Sequence, residues 1–97
     1  MRLDRYLFFI RLVKSRTQAQ ALIDEGYVRI DGHRVTKSSA DVGIGQVVAL
    51  PMRGQVKVLR VKALPSRRGP ANEARSCYEE LGERPSSANV SQQGAAD

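Results

Sequence analysis

Apolar positions along this chain recur first in a helical rhythm and then in an alternating one. Between Arg2 and Leu12, the residues Leu3, Tyr6, Leu7 and Ile10 keep helical spacing and predict a first helix with those four on its core face. Arg2, Arg5 and Phe9 lie off that stripe, and Phe8 points to the far side. Large apolar side chains are more often buried than functional, so Phe8 and Phe9 are expected to pack under the C-terminal segment, with a stacking platform for bases as the alternative. A short joint at Val13–Ser15 leads into a second helix whose stripe is Ala19, Leu22 and Ile23. Ser15 reads as its N-cap, with Gln18 three residues on to complete a capping box. Gly26 stands where a left-handed residue stops a helix, and Tyr27 follows to pack back against it.

The rhythm then changes to two. Tyr27-Val28-Arg29-Ile30 alternates like a strand, and Asp31-Gly32 is a preferred type I′ turn into His33-Arg34-Val35. Thr36–Ser39 is a polar loop, and Val42-Gly43-Ile44-Gly45 a connection. Gln46–Leu50 is a short strand, Pro51–Gln55 a turn, and Val56–Val61 a second clear alternation. Val56, Val58 and Arg60 share one face of it, Lys57, Leu59 and Val61 the other; each face carries one cation, so the register stays open. Beyond Pro65, Ser66-Arg67-Arg68-Gly69-Pro70 is a basic link. Ala74, Cys77, Tyr78 and Leu81 then keep helical spacing and predict a surface helix over Ala71–Leu81, capped by Asn72. Gly82–Asp97 lacks periodicity and is expected to be disordered. The fold class is α+β: a helix pair packed on a small antiparallel sheet of three or four strands, with a C-terminal surface helix. The chain divides into a domain over residues 1–64, a link and helix over 65–81, and a tail over 82–97.

Charge adds a direction to this outline. The 97 residues carry a net charge of +6. Residues 1–70 hold 14 Lys/Arg against 5 Asp/Glu, which is +9, whereas residues 71–97 hold 2 against 5, which is −3. So basic a domain implies a polyanionic partner or an anionic membrane surface. Twelve of the 16 cations are arginine, whose planar fork suits phosphate. The single cysteine, Cys77, cannot form an intramolecular disulfide, and no secretory or membrane-spanning segment is read, so a cytoplasmic location is expected. His33 is alone, without a second ligand nearby, and no metal or other cofactor is expected. Neither a nucleophile–base pair nor a glycine-rich nucleotide loop is visible, and no enzymatic activity or small-molecule substrate is expected.

Lys14, Ser15, Arg16 and Thr17 surround the start of the second helix, where free N–H groups and the dipole favour an anion. Ser15 is first of all a cap; Arg16 is read as a phosphate contact, and Gln20, on the same side, as a hydrogen-bonding group for a sugar or base edge. Arg2 and Arg5 widen the basic surface across the first helix, although Arg5 equally suits an ion pair with a nearby carboxylate. Lys37 follows the hairpin. Arg67 and Arg68 read equally as a phosphate clamp and as a plain basic linker. Structured RNA fits this set better than DNA, because the short second helix carries few base-reading side chains.

The pattern Arg2-Leu3-Asp4, Leu7, Ser15-Arg16, Ala19, Leu22-Ile23, Gly26, Val28 and Asp31-Gly32 resembles the S-four RNA-binding domain over roughly residues 2–50. Val56–Lys62, then Ser66-Arg67-Arg68-Gly69-Pro70-Ala71 and Tyr78-Glu79-Glu80, resemble the fifteen-kilodalton ribosome-associated heat-shock protein family. The resemblance implies an αL-type RNA-binding motif and a non-enzymatic role. That role is binding, through ribosomal RNA, to a free large ribosomal subunit that still holds a nascent chain on tRNA, as in recycling or quality control of stalled subunits. Ribosomal RNA and the large subunit are then the partners, with tRNA a further candidate; no membrane partner is expected, and the protein is expected to be a monomer. A DNA-binding regulator and an accessory RNA-binding subunit of an RNA-modifying enzyme are the alternatives. The short, weakly acidic tail departs from the longer basic extension common in that family.

Overall fold

The computed structural model describes residues 1–85, with side chains to Gly82. Three helices, α1 (Leu3–Phe9), α2 (Arg16–Asp24) and α3 (Ala71–Arg75), accompany five strands, β1 (Val28–Ile30), β2 (His33–Val35), β3 (Val47–Met52), β4 (Gln55–Val61) and β5 (Tyr78–Pro85). The strands form one antiparallel sheet in the order β2-β1-β3-β4-β5. Leu3, Tyr6 and Leu7 of α1 and Ile10 at its C-cap, with Ala19 and Ile23 of α2, are buried against Val28, Val48, Leu50, Leu59 and Val61 of the sheet. That settles the register of β4: its inner face is Leu59 and Val61, and Arg60 points out.

The α2–hairpin unit follows its local signals. The Gln18 N–H donates to Ser15 Oγ at 3.0 Å, which makes Ser15 the cap. The reciprocal half of the box differs from expectation, since Gln18 Oε1 accepts the Lys14 N–H at 2.8 Å rather than that of Ser15. At the other end Gly26 takes φ +82°, its N–H bonds the Ile23 carbonyl, and the Tyr27 N–H bonds the Leu22 carbonyl, which is a Schellman stop. A Cβ at Gly26 would also stand 3.1 Å from the Arg34 stem. The Tyr27 ring does not pack back on the helix as expected; it is 57% exposed. Asp31 and Gly32, both at positive φ, make the turn, and Asp31 Oδ1 accepts the Val47 N–H, tying the hairpin to β3.

Other expectations fail at the element ends. Helix α1 ends at Phe9 rather than Leu12, because Arg11 takes φ +66° and closes a second Schellman stop without a glycine. The turn after β3 is only Arg53-Gly54; Pro51 and Met52 continue the strand, where β3 runs past the end of β1 and the missing N–H of Pro51 costs no bond to it. The expected helix over Ala71–Leu81 is a helix only to Arg75, with Pro70 rather than Asn72 at its N-cap position. From Tyr78 the chain is strand, through Gly82–Pro85 where the sequence predicts the start of a disordered tail, so the sheet has five strands rather than three or four. An exposed edge on β4 outweighs weak helical spacing. Glu79 pairs with Arg60 at 3.4 Å and Glu80 with Lys57, so opposite charges meet across the two strands. The rest of that tail, residues 86–97, lies outside the described residues.

Candidate nucleic-acid interface

Asp4 is the only charged side chain among the described residues that is fully buried, and it sits one turn from Leu7 on α1. Arg2 grips it with two hydrogen bonds, Nε to Oδ1 at 3.1 Å and Nη2 to Oδ2 at 3.0 Å. From α2, Gln20 Nε2 donates to Oδ2 at 3.0 Å, and Arg16 Nη2 lies 3.5 Å from the same oxygen. The Arg5 N–H closes the set at 2.8 Å. Burial pushes the Asp4 carboxyl up, but the hydrogen bonds from Arg2, Gln20 and the Arg5 N–H, with the charge of Arg2, more than offset it and hold the group below the ordinary aspartate range.

Arg2 and Arg16 are each about 45% exposed, so one edge of each guanidinium meets Asp4 and the rest faces solvent. Together they set two half-exposed guanidinium groups on one buried acceptor, a donor pair that suits a phosphate or sugar edge.

Of the residues singled out from sequence, Arg2, Arg16 and Gln20 therefore meet. Gln20 spends one amide hydrogen on Asp4. Arg5 joins them through its backbone only; its guanidinium lies over the Phe9 ring at 5.5 Å instead of meeting a carboxylate. Thr17 and Lys37 are exposed, and Lys37 precedes Ser38, whose hydroxyl donates to Asp24 Oδ1 on the same flank of α2. Ser15 is a cap, and Lys14 lines the opposite side of α2 with Gln18 and Leu22.

Arg67 and Arg68 stand apart from this cluster. Arg67 pairs with Glu73 at 3.2 Å. Arg68 donates through Nη1 to the carbonyls of Phe8 at 2.6 Å and Val13 at 3.1 Å, and lies over the Phe8 ring at 4.4 Å. Its charge sits on the C-terminal end of α1, where a cation is favoured. Phe9 in turn lines a cleft with Leu64 and Ala74, so both phenylalanines meet the C-terminal segment. Asp4, the hub, is not among the residues the sequence singles out; a carboxylate one turn from an apolar core residue is the signal that points to it. Among the described residues no cluster of His, Cys, Asp and Glu could hold a metal, and no helix is long and apolar enough to cross a membrane.

The S4 domain family model matches residues 1–48. The chain is 35% identical over 83 residues to heat shock protein 15 of Escherichia coli K12, covering 86% of this chain and 62% of that one. It is 44% identical over 54 residues to the small ribosomal subunit protein uS4 of Lacticaseibacillus casei, covering 56% of this chain and 27% of that one. It thus spans about a quarter of uS4 and about three fifths of the Escherichia coli protein. The solved trimeric structure of Vibrio cholerae heat shock protein 15 superposes with a TM-score of 0.80 at 30% identity, over 84% of this chain and 82% of that one.

Proposed function

The chain belongs to the heat shock protein 15 family of S4-domain proteins, and on that premise we propose that it binds ribosomal RNA and, through it, the large ribosomal subunit. The observation that carries the reading is the buried Asp4 carboxylate, which holds Arg2, Arg16 and Gln20 side by side at the surface. A buried charge is costly unless well paired, and here its pairing sets the direction of two arginines. Ser15, Thr17 and Lys37 border that contact, Arg5 extends it along α1, and Lys14 adds charge from the opposite side of α2. Arg67 and Arg68 act through the fold. The role is non-enzymatic: recycling or quality control of stalled subunits that carry nascent chain-tRNA. The Vibrio cholerae relative is trimeric; for this chain a monomer is proposed, because the large exposed apolar residues Tyr27, Ile44, Leu64 and Leu81 lie on four separate segments.

Sedimentation of a lysate at moderate salt tests the partner: the protein should travel with free large subunits, and travel with small subunits or with neither would overturn the assignment. Several phosphate contacts should give log affinity a slope against log salt of about −3 to −5. A flat response in a titration of ribosomal RNA, or equal binding to duplex DNA, would overturn the charge argument. Analytical ultracentrifugation showing a trimer would reverse the monomer assignment.

A further inference from the structure

The flank of α2 opposite Asp4 carries a second concave surface, in two patches that share Leu22, Pro51, Met52 and Arg53. One patch runs between the end of α1 and the β3–β4 hairpin, rimmed by Arg11, Lys14, Lys57 and Arg68. The other runs over β1 and β2, rimmed by Tyr27, Arg29 and Arg34 and floored by Ala49 and Val56. Among the described residues no carboxylate lines either patch, although Lys57 on the rim pairs with Glu80 behind it. Arg68 and Arg11 rest on neutral backbone carbonyls, those of Phe8 and Val13 for Arg68 and that of Gly69 for Arg11, at 2.6 Å to the nearest. Arg29 Nη1 donates to the Gly32 carbonyl at 3.3 Å. Arg53, at the tip of the hairpin where the patches join, is exposed.

We propose that this groove binds a single-stranded segment of RNA, as a second contact of the same RNA-binding protein; the inference rests on the RNA-binding reading given above. Its chemistry is mixed in the way an unpaired strand requires. The cations of the rim match a phosphate backbone, while the apolar floor of Leu22, Pro51, Met52 and Val56 and the half-exposed Tyr27 ring offer faces for bases freed from pairing. A duplex buries its base faces and would leave that floor uncovered. An acidic peptide would satisfy the rim, but its carboxylates and backbone offer nothing to stack on Tyr27.

The test is fluorescence anisotropy with labelled dodecauridine, beside a structured ribosomal RNA fragment, and ultraviolet cross-linking mapped by mass spectrometry. Arg53→Gln should weaken dodecauridine binding about fivefold and flatten its salt slope by about 0.7, the share of one phosphate on a single strand. Arg53→Gly, which also relieves the positive φ at this position, should give the same loss. Arg75→Gln, which removes an equal charge from exposed α3, should stay within about twofold of wild type. Cross-links should map to Tyr27. Dodecauridine affinity indifferent to both Arg53 variants, cross-links confined elsewhere, or equal competition by polyglutamate would overturn the groove; the last would make it a docking surface for acidic protein. Ribosomal RNA binding indifferent to Arg16→Ala would instead overturn the proposed function, so the two failures appear in separate measurements.

Discussion

The two flanks of α2 hold their cations by opposite means. Arg16, Gln20 and Asp24 recur every four residues along one flank, Gln18 and Leu22 along the other, with Ala19 and Ile23 buried between them. On the first flank a buried carboxylate holds the guanidinium groups of Arg2 and Arg16. On the second, Lys57 pairs with Glu80 across the strands, but the others lean on neutral carbonyls, as Arg68 and Arg11 do, or stand exposed, as Lys14 and Arg53 do. A carboxylate cancels part of the outward field while it pins direction. A carbonyl leaves the full charge outward and pins less. The first flank is therefore built for geometry and the second for attraction.

The largest effect that would break this contrast is at Asp4. Asp4→Ala removes the acceptor of four groups and should cost about 3 kcal/mol of stability by thermal or denaturant unfolding, as well as scattering Arg2 and Arg16 and weakening RNA binding. Because the folded carboxyl is held below its unfolded value, its contribution is present above the unfolded pKa of about 4 and is lost as pH falls below that. Wild type should thus lose stability on acidification through that range more steeply than Asp4→Ala. An Asp4→Ala protein as stable as wild type would remove the hub.

Arginine on the two flanks then gives the sharper comparison. Arg68→Ala should cost about 2 kcal/mol of stability, since two carbonyls and the Phe8 ring lose a charged partner. Arg16→Ala should leave folding within about 0.5 kcal/mol yet weaken binding to ribosomal RNA by roughly 1–3 kcal/mol and lower the salt slope by about one. The smallest expected change is Ser15→Ala, about 1 kcal/mol of stability through the lost cap, with RNA affinity of the folded protein little altered. If Arg16→Ala binds like wild type while Arg68→Ala does not, the roles of the two flanks are exchanged.

What could be read from sequence divides along the same physical line. Residues 14–35 were legible because cap, stop and turn signals lie within a few positions of one another. The end of α1 was not, since Arg11 stands in a left-handed position where a glycine would have announced the stop. Strand β5 was not either: Ala74, Cys77, Tyr78 and Leu81 keep helical spacing, and only pairing with β4 turns the chain to strand from Tyr78 on. Arg2, Arg16 and Gln20 were found as cations and donors at the right helix end. Their common acceptor was missed because no periodicity reports a carboxylate shared by two helices. Arg68 was read equally as clamp or link and is a staple of the fold.

One feature of α1 bears on the order of assembly. The β1–β2 and β3–β4 hairpins close over two-residue turns, at little entropic cost. The bonds that seat α1 reach much farther along the chain: the Leu3 N–H to the Ala40 carbonyl, Arg68 to the Phe8 carbonyl, and the Tyr6 hydroxyl to the Cys77 carbonyl at 3.0 Å. Long loops of this kind close late, after local pairs are in place. The seat of α1, and with it the position of Asp4, is therefore complete only when these distant segments are in place. Arg2 and Arg16 share their acceptor across α1 and α2, so a chain whose two helices are not packed together offers RNA loose charge without that geometry.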